Sequence, residues 1–227
     1  MRFEAKTGHA TEQKTACLIL PVYTSGKLPA STRRVDTIAD GLIAGLLEDG
    51  DIAGKVGDAL LLKAPATLKA DRTLLIGCGE RDKFDRKQYR KAVRVAFGTL
   101  RQTQLENAVC YLNSEAVAGA DIYRRARIAV EVWHHGAYRY TTTRSEDERL
   151  PIAQTSIGLS ATSATAAAAR KGIKHGDATA RGVSLSRELG NLPANICTPG
   201  HLVAEARRIA RGNSKLRVQV LDEADMK

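Results

Sequence analysis

Cys17–Tyr23 and Ala108–Leu112 are almost unbroken apolar runs, and the segments between and after them repeat their apolar residues at helical spacing. A strand that lacks polar alternation needs cover on both faces, and helices in an alternating chain supply that cover. Val35–Leu47 gathers Val35, Ile38, Leu42, Ile43, Leu46 and Leu47 on one side of a predicted helix. Phe84–Arg101 does the same with Tyr89, Val93, Ala96, Phe97 and Leu100, and Gly119–Ala137 with Ile122, Ala126, Ala129, Val130, Trp133 and Ala137. Arg2–Lys6, Asp58–Lys63 and Thr73–Ile76 read as further strands. The alternation predicts an α/β layer fold around a buried sheet.

The last third changes character. Residues 139–151 are polar and end at Pro151, which predicts a surface loop, followed by a strand at Ile152–Leu159. From Ala161 the chain is alanine-rich, and helical patterning continues to about Leu189, as in a helix connecting two domains. Pro193 ends it, because proline has no N–H and clashes with the preceding turn. Thr198 followed by Pro199 is a strong helix start, a hydroxyl cap before proline at the first helical position. That helix runs through Leu202, Val203, Ala206 and Ile209, stops at Gly212–Ser214, and precedes a predicted strand at Leu216–Leu221. One helix and one strand cannot bury a core. The expected organisation is therefore an N-terminal domain over 1–160, a connecting helix over 161–190, and an incomplete second α/β domain over 191–227, poorly packed by itself.

The 227 residues suffice for a sizeable core without disulfides, and with only 4% aromatics that core is expected to be mostly aliphatic. Cys17, Cys78, Cys110 and Cys197 show no paired or zinc-ligand spacing, and Cys17, Cys78 and Cys110, in or beside apolar runs, read as buried free thiols of a reducing compartment. The N-terminal residues lack a signal-peptide pattern, and no apolar run approaches membrane-spanning length, so a cytoplasmic protein with no membrane partner is expected. The net charge of +10 bears on partners rather than on fold. Half of it lies in Arg81–Arg94, which holds seven basic residues and two acidic ones. Lys83, Lys87, Arg90, Lys91 and Arg94 are predicted to form a ridge facing away from the apolar stripe of their helix. Such a ridge either neutralises nucleic-acid phosphates without reading sequence or is simply solvated. Arg124, Arg125 and Arg127 make a smaller cluster of the same kind.

Gly77-Cys78-Gly79 follows a strand and precedes a helix, so its N–H groups could cradle a phosphate, or its glycines could serve a tight turn. A third glycine is missing, and Asp82 stands in its place. His134 and His135 are adjacent, so on a helix their rings diverge by ~100° and do not share a metal readily. Asp222, Glu223 and Asp225 fit a turn or a cation site. No nucleophile elbow, P-loop or HExxH motif is present. No residue of the sequence is assigned a catalytic or metal-binding role.

The stretch Gly182–Ala206 contains Arg187-Glu188-Leu189, then Asn191, Pro193 and Asn195, then Thr198-Pro199 and a helix start, and a later segment closes in Leu221-Asp222. This pattern resembles the leucyl, or cytosol, aminopeptidase family, in its N-terminal domain and the start of its catalytic domain. The match is specific over 182–227 and looser before it. The resemblance implies a three-layer α/β/α N-terminal domain with a mostly parallel or mixed sheet. It makes Asn191, Pro193, Asn195, Thr198 and Pro199 structural motif residues. It also implies a cytosolic homohexamer that releases N-terminal residues from peptides with two divalent metals, manganese or zinc, and a family that includes a DNA-binding member. The family's metal ligands and catalytic residues follow the Leu-Asp segment, so none is matched within this sequence. The implied role for the span itself is oligomerisation or regulation, with sequence-independent DNA binding as the alternative.

Overall fold

The computed structural model describes residues 1–143 and 153–226. Residues 144–152, which hold most of the predicted polar loop and the start of the predicted strand at Ile152, lie outside the described residues. Six strands form one sheet: β1 (Arg2–Lys6), β2 (Thr15–Val22), β3 (Ala59–Lys63), β4 (Ala70–Gly77), β5 (Asn107–Cys110) and β6 (Ser156–Ser160). Their order is β1-β6-β5-β2-β4-β3; every neighbouring pair is parallel except β3 with β4.

The strand at the centre explains the unbroken apolar run. β2 sends Cys17 and Ile19 to one face and Leu18, Leu20 and Val22 to the other, and all five are buried. The first face is covered by α3 (Arg86–Arg101) and α4 (Ile122–Ala137), with Tyr89, Val93, Phe97, Ala129 and Trp133 packed on the sheet. The second is covered by α1 (Ala30–Ile38) and α2 (Leu42–Glu48) through Val35 and Ile43. The architecture is thus three-layer α/β/α around a mostly parallel sheet. Edge strand β3 instead alternates exposed and half-buried positions, as a strand on a sheet margin does.

The helix predicted over Val35–Leu47 is two helices. Asp40 (φ 52°) and Gly41 (φ 80°) reverse the chain between them. The buried Asp36 carboxylate then accepts from the N–H groups of Ile43 (2.7 Å) and Ala44 (3.1 Å), which caps α2. α3 and α4 begin later than their apolar spacing suggests, because Asp85 and Asp121 cap them by accepting from the N–H of Gln88 (2.9 Å) and Arg124 (2.8 Å).

The chain divides into two compact units. The first holds Met1–Tyr138 and, of the described residues, 153–184; the second holds 139–143 and 185–226. α5 (Ala166–Asn191) passes from one to the other. Its first part packs on α4 within the first unit, where a Cβ at Gly172 would overlap the Tyr123 carbonyl oxygen and one at Gly176 would stand 2.9 Å from the Arg127 carbonyl oxygen. In the second unit, α6 (Pro199–Arg211) starts at Thr198, whose hydroxyl accepts from the His201 N–H at 3.3 Å. The strand expected at Leu216–Leu221 does not form among the described residues. A strand needs a neighbouring ladder, and this segment has none to join among the described residues. Leu202, Ile209, Leu216, Val218 and Leu221 are exposed.

Candidate functional site

α3 follows β4 and α4 follows β5, and because those strands are parallel members of one sheet, both helices start at its carboxyl edge. They lie side by side on the same face, and their N-terminal halves enclose a cleft of about 980 Å³. Arg86, Lys87 and Arg90 line it from α3, Arg124 and Arg127 from α4, with Asp85 and Glu131 the acidic residues among them. Glu131 ties the helices together: it lies 2.7 Å from Arg127 and 3.5 Å from Arg90. Its hydrogen bond raises the Arg127 pKa above the ordinary guanidinium value.

The five residues of the predicted ridge are all exposed, and two of them, Lys87 and Arg90, line the cleft. Lys83 precedes α3 in a short 3-10 turn and pairs with Glu80 at 2.9 Å. Lys87 and Arg90 line the cleft, whereas Lys91 lies beside Gly57 and neither it nor Arg94 lines the cleft. The second basic cluster also divides. Arg124 and Arg127 face the cleft, but Arg125 turns inward, with Nε donating to the Asn113 carbonyl (3.0 Å) and a terminal nitrogen to the Ala120 carbonyl (2.8 Å). Burial lowers its pKa. Helical periodicity separates the sides of one helix but not which side faces a neighbour, so the joining of Arg86 and Lys87 with Arg124 was not legible.

A buried polar cluster at the carboxyl edge was missed altogether. The Tyr23 hydroxyl donates to Glu115 Oε2 at 3.0 Å, and the Arg81 guanidinium lies 3.9 Å from the same oxygen and over the Tyr23 ring. Burial raises the Glu115 pKa, against the opposing effects of Tyr23, Arg81 and Arg125. Nearby, Asn113 donates to the Ser160 carbonyl at 2.9 Å, and the Tyr89 hydroxyl lies 3.2 Å from Asn113 Oδ1. These groups tie β2, β5 and β6 together at the edge where ligands of open α/β sheets are bound.

The glycine turn is a turn. Its three N–H groups are already taken, Gly77 by the Asp58 carbonyl, Cys78 by Val22 and Gly79 by Gly54, each at 2.8–2.9 Å. A Cβ at Gly77 would overlap the Lys55 carbonyl oxygen, and Gly79 holds φ 79°. Cys17, Cys78 and Cys110 are free and buried, and burial pushes Cys17 and Cys110 up to about 12. His134 meets Asp177 at 3.4 Å, and Asp222 and Asp225 bond to each other in a turn. Among the described residues, no three His, Cys, Asp or Glu side chains come together to hold a metal ion. No helix among them is long and apolar enough to cross a membrane.

In the second unit, α5 ends at Asn191, two residues before Pro193, whose carbonyl accepts from the N–H groups of Ile196 and Cys197, each at 2.9 Å. Asn195 is exposed in that turn, and Thr198-Pro199 opens α6. The family model for the N-terminal domain of the cytosol aminopeptidase family matches residues 19–147, more than half of the sequence. The chain belongs to the cytosol aminopeptidase family. A probable cytosol aminopeptidase of Nitrosococcus oceani is 38% identical over all of this chain and 45% of its own length. The cytosol aminopeptidase of Pseudomonas aeruginosa is 37% identical over all of this chain and 46% of its own length. The chain thus spans about half the length of these curated relatives. A tomato leucine aminopeptidase variant shares the fold with a TM-score of 0.78 at 22% identity, covering 100% of this chain and 45% of that one. The bottromycin maturation enzyme BotP, solved in complex with Mn, does so with a TM-score of 0.60 at 21% identity, over 87% of this chain and 36% of that one. The cleft between α3 and α4 lies within the residues that the cytosol aminopeptidase N-terminal model matches, whereas β1, β6 and α5 lie outside them.

Proposed function

We propose that this chain is the N-terminal part of a cytoplasmic aminopeptidase that removes N-terminal residues from peptides. The observation that carries the reading is the end-to-end match, 38% identical over the whole chain, to a relative of which it covers 45%. Residues 1–160 are then an accessory domain, 161–190 a connecting helix and 191–227 the opening of the peptidase domain. The exposed apolar side chains of α6 and of Leu216–Leu221 suit a segment whose packing partners belong to that domain. Two divalent metals, manganese or zinc, would activate a water and polarise the scissile carbonyl. The residues described here do not fit such a centre, so it is assigned to the portion of the longer relatives that this chain does not cover. The accessory domain would serve homo-oligomerisation, as a hexamer, or regulation. A protein joining this chain to a relative's remaining sequence should release leucine from leucine amide when manganese is supplied. Folded, metal-loaded protein without turnover would refute the assignment.

A second reading is favoured by the exposure of all five ridge residues. Lys83, Lys87, Arg90, Lys91 and Arg94 would bind duplex DNA without sequence preference. Five phosphate contacts give a log–log salt slope of about −4 to −5. Changing Lys87, Arg90, Lys91 and Arg94 to Glu should abolish binding in a salt titration. Equal affinity in the parent and the variant would remove the ridge from function.

A further inference from the structure

We propose that the cleft between the N-terminal halves of α3 and α4 binds a small ligand carrying two or more phosphates in a row. Five cationic side chains line it, and the carboxylates among them are already engaged. Asp85 accepts from the Gln88 N–H, and Glu131 is shared by Arg90 and Arg127. Arg86, Lys87 and Arg124 form no ion pair among the described residues, although they line one concavity from two helices. Like charges lining one cleft repel one another until an anion enters between them. Guanidinium groups hold phosphate oxygens through paired N–H donors, and the positive ends of two helix dipoles open on the same side. The volume, about 980 Å³, falls at the upper end of the range of small-molecule sites.

The placement favours a compact anion over a duplex. A DNA backbone crossing this face would draw on Lys91 and Arg94, which do not line the cleft, as much as on Arg124. A short phosphate chain draws on Arg86, Lys87 and Arg124 alone. The phosphates could be inorganic or part of a nucleotide, and the chemistry at the cleft is the same.

The test is calorimetric titration of the full chain with pyrophosphate and with ADP, which carry the same two phosphates. Both should bind, equally if only the phosphate chain is recognised, and ADP more tightly if the nucleoside also contributes. The R86A/R124A variant should weaken both by about a hundredfold, since each charged hydrogen bond removed is worth about tenfold or more. K87A should weaken them less, and K91A/R94A should leave them within about twofold. Circular dichroism on each variant guards against loss of fold. No binding of either probe at millimolar concentration would overturn the proposal. So would unchanged affinity in folded R86A/R124A, or an equal loss in K91A/R94A. Duplex DNA that binds and depends on Lys91 and Arg94, with pyrophosphate failing to compete, would assign the face to DNA instead.

Discussion

At Glu115 a carboxylate is held almost out of water, 6% exposed, with the Tyr23 hydroxyl bonded to it and Arg81 and Arg125 acting on it. Burial outweighs all three, so its folded pKa lies above the ordinary value of 4.5. The folded state therefore binds the proton more tightly than the unfolded state. Stability falls as pH rises from 4.5 through the folded pKa, and the loss is complete above it. Glu115→Gln removes the titration and leaves an acceptor for the Tyr23 hydroxyl. The variant should gain on the parent across that window by about 1.4 kcal/mol for each unit by which the pKa is raised. Urea unfolding of both proteins between about pH 4 and pH 8 measures the gap. Parallel pH profiles would show that Glu115 is not strained by its site.

Among the elements, α5 makes the sharpest claim. Its contact with α4 depends on absent side chains: a Cβ at Gly172 meets the Tyr123 carbonyl, whereas one at Gly182 in the same helix meets nothing within 4 Å. Gly182→Ala should stabilise by up to about 1 kcal/mol, the ordinary helix-propensity gain. Gly172→Ala should destabilise by about 2 kcal/mol despite that gain, because the helices must move apart. Chemical denaturation of the two variants checks the sign, and a stabilised Gly172→Ala would mean the helices are not in close contact. The elements also show what a sequence discloses. α6 was legible to the residue, because threonine and proline at its start act locally. The central strands β2, β4 and β5 were legible because burial on both faces leaves a largely apolar run. The break between α1 and α2 was not, since its apolar positions fit one helix as well as two; only Asp40-Gly41 marked it, and the Asp36 cap is invisible without the fold. Leu216–Leu221 carries a strand's pattern but has no ladder to join among the described residues. The cleft was half legible. Its charges stood out in the sequence, but their pairing across two helices needed the sheet that sets α3 beside α4.

For the whole molecule, the account separates fold from chemistry. The first unit has a double-sided core, while no residue of the described span 191–226 is buried. Such a chain suits an accessory domain with the opening of a second domain attached, in a family whose relatives are about twice as long. The most direct measurement is a leucine-amide assay on the purified 227-residue chain with manganese or zinc added, run beside a heat-inactivated control. The account predicts turnover no higher than the control, because no three metal-ligating side chains come together among the described residues. Turnover that persists through purification, and rises with added metal, would contradict it.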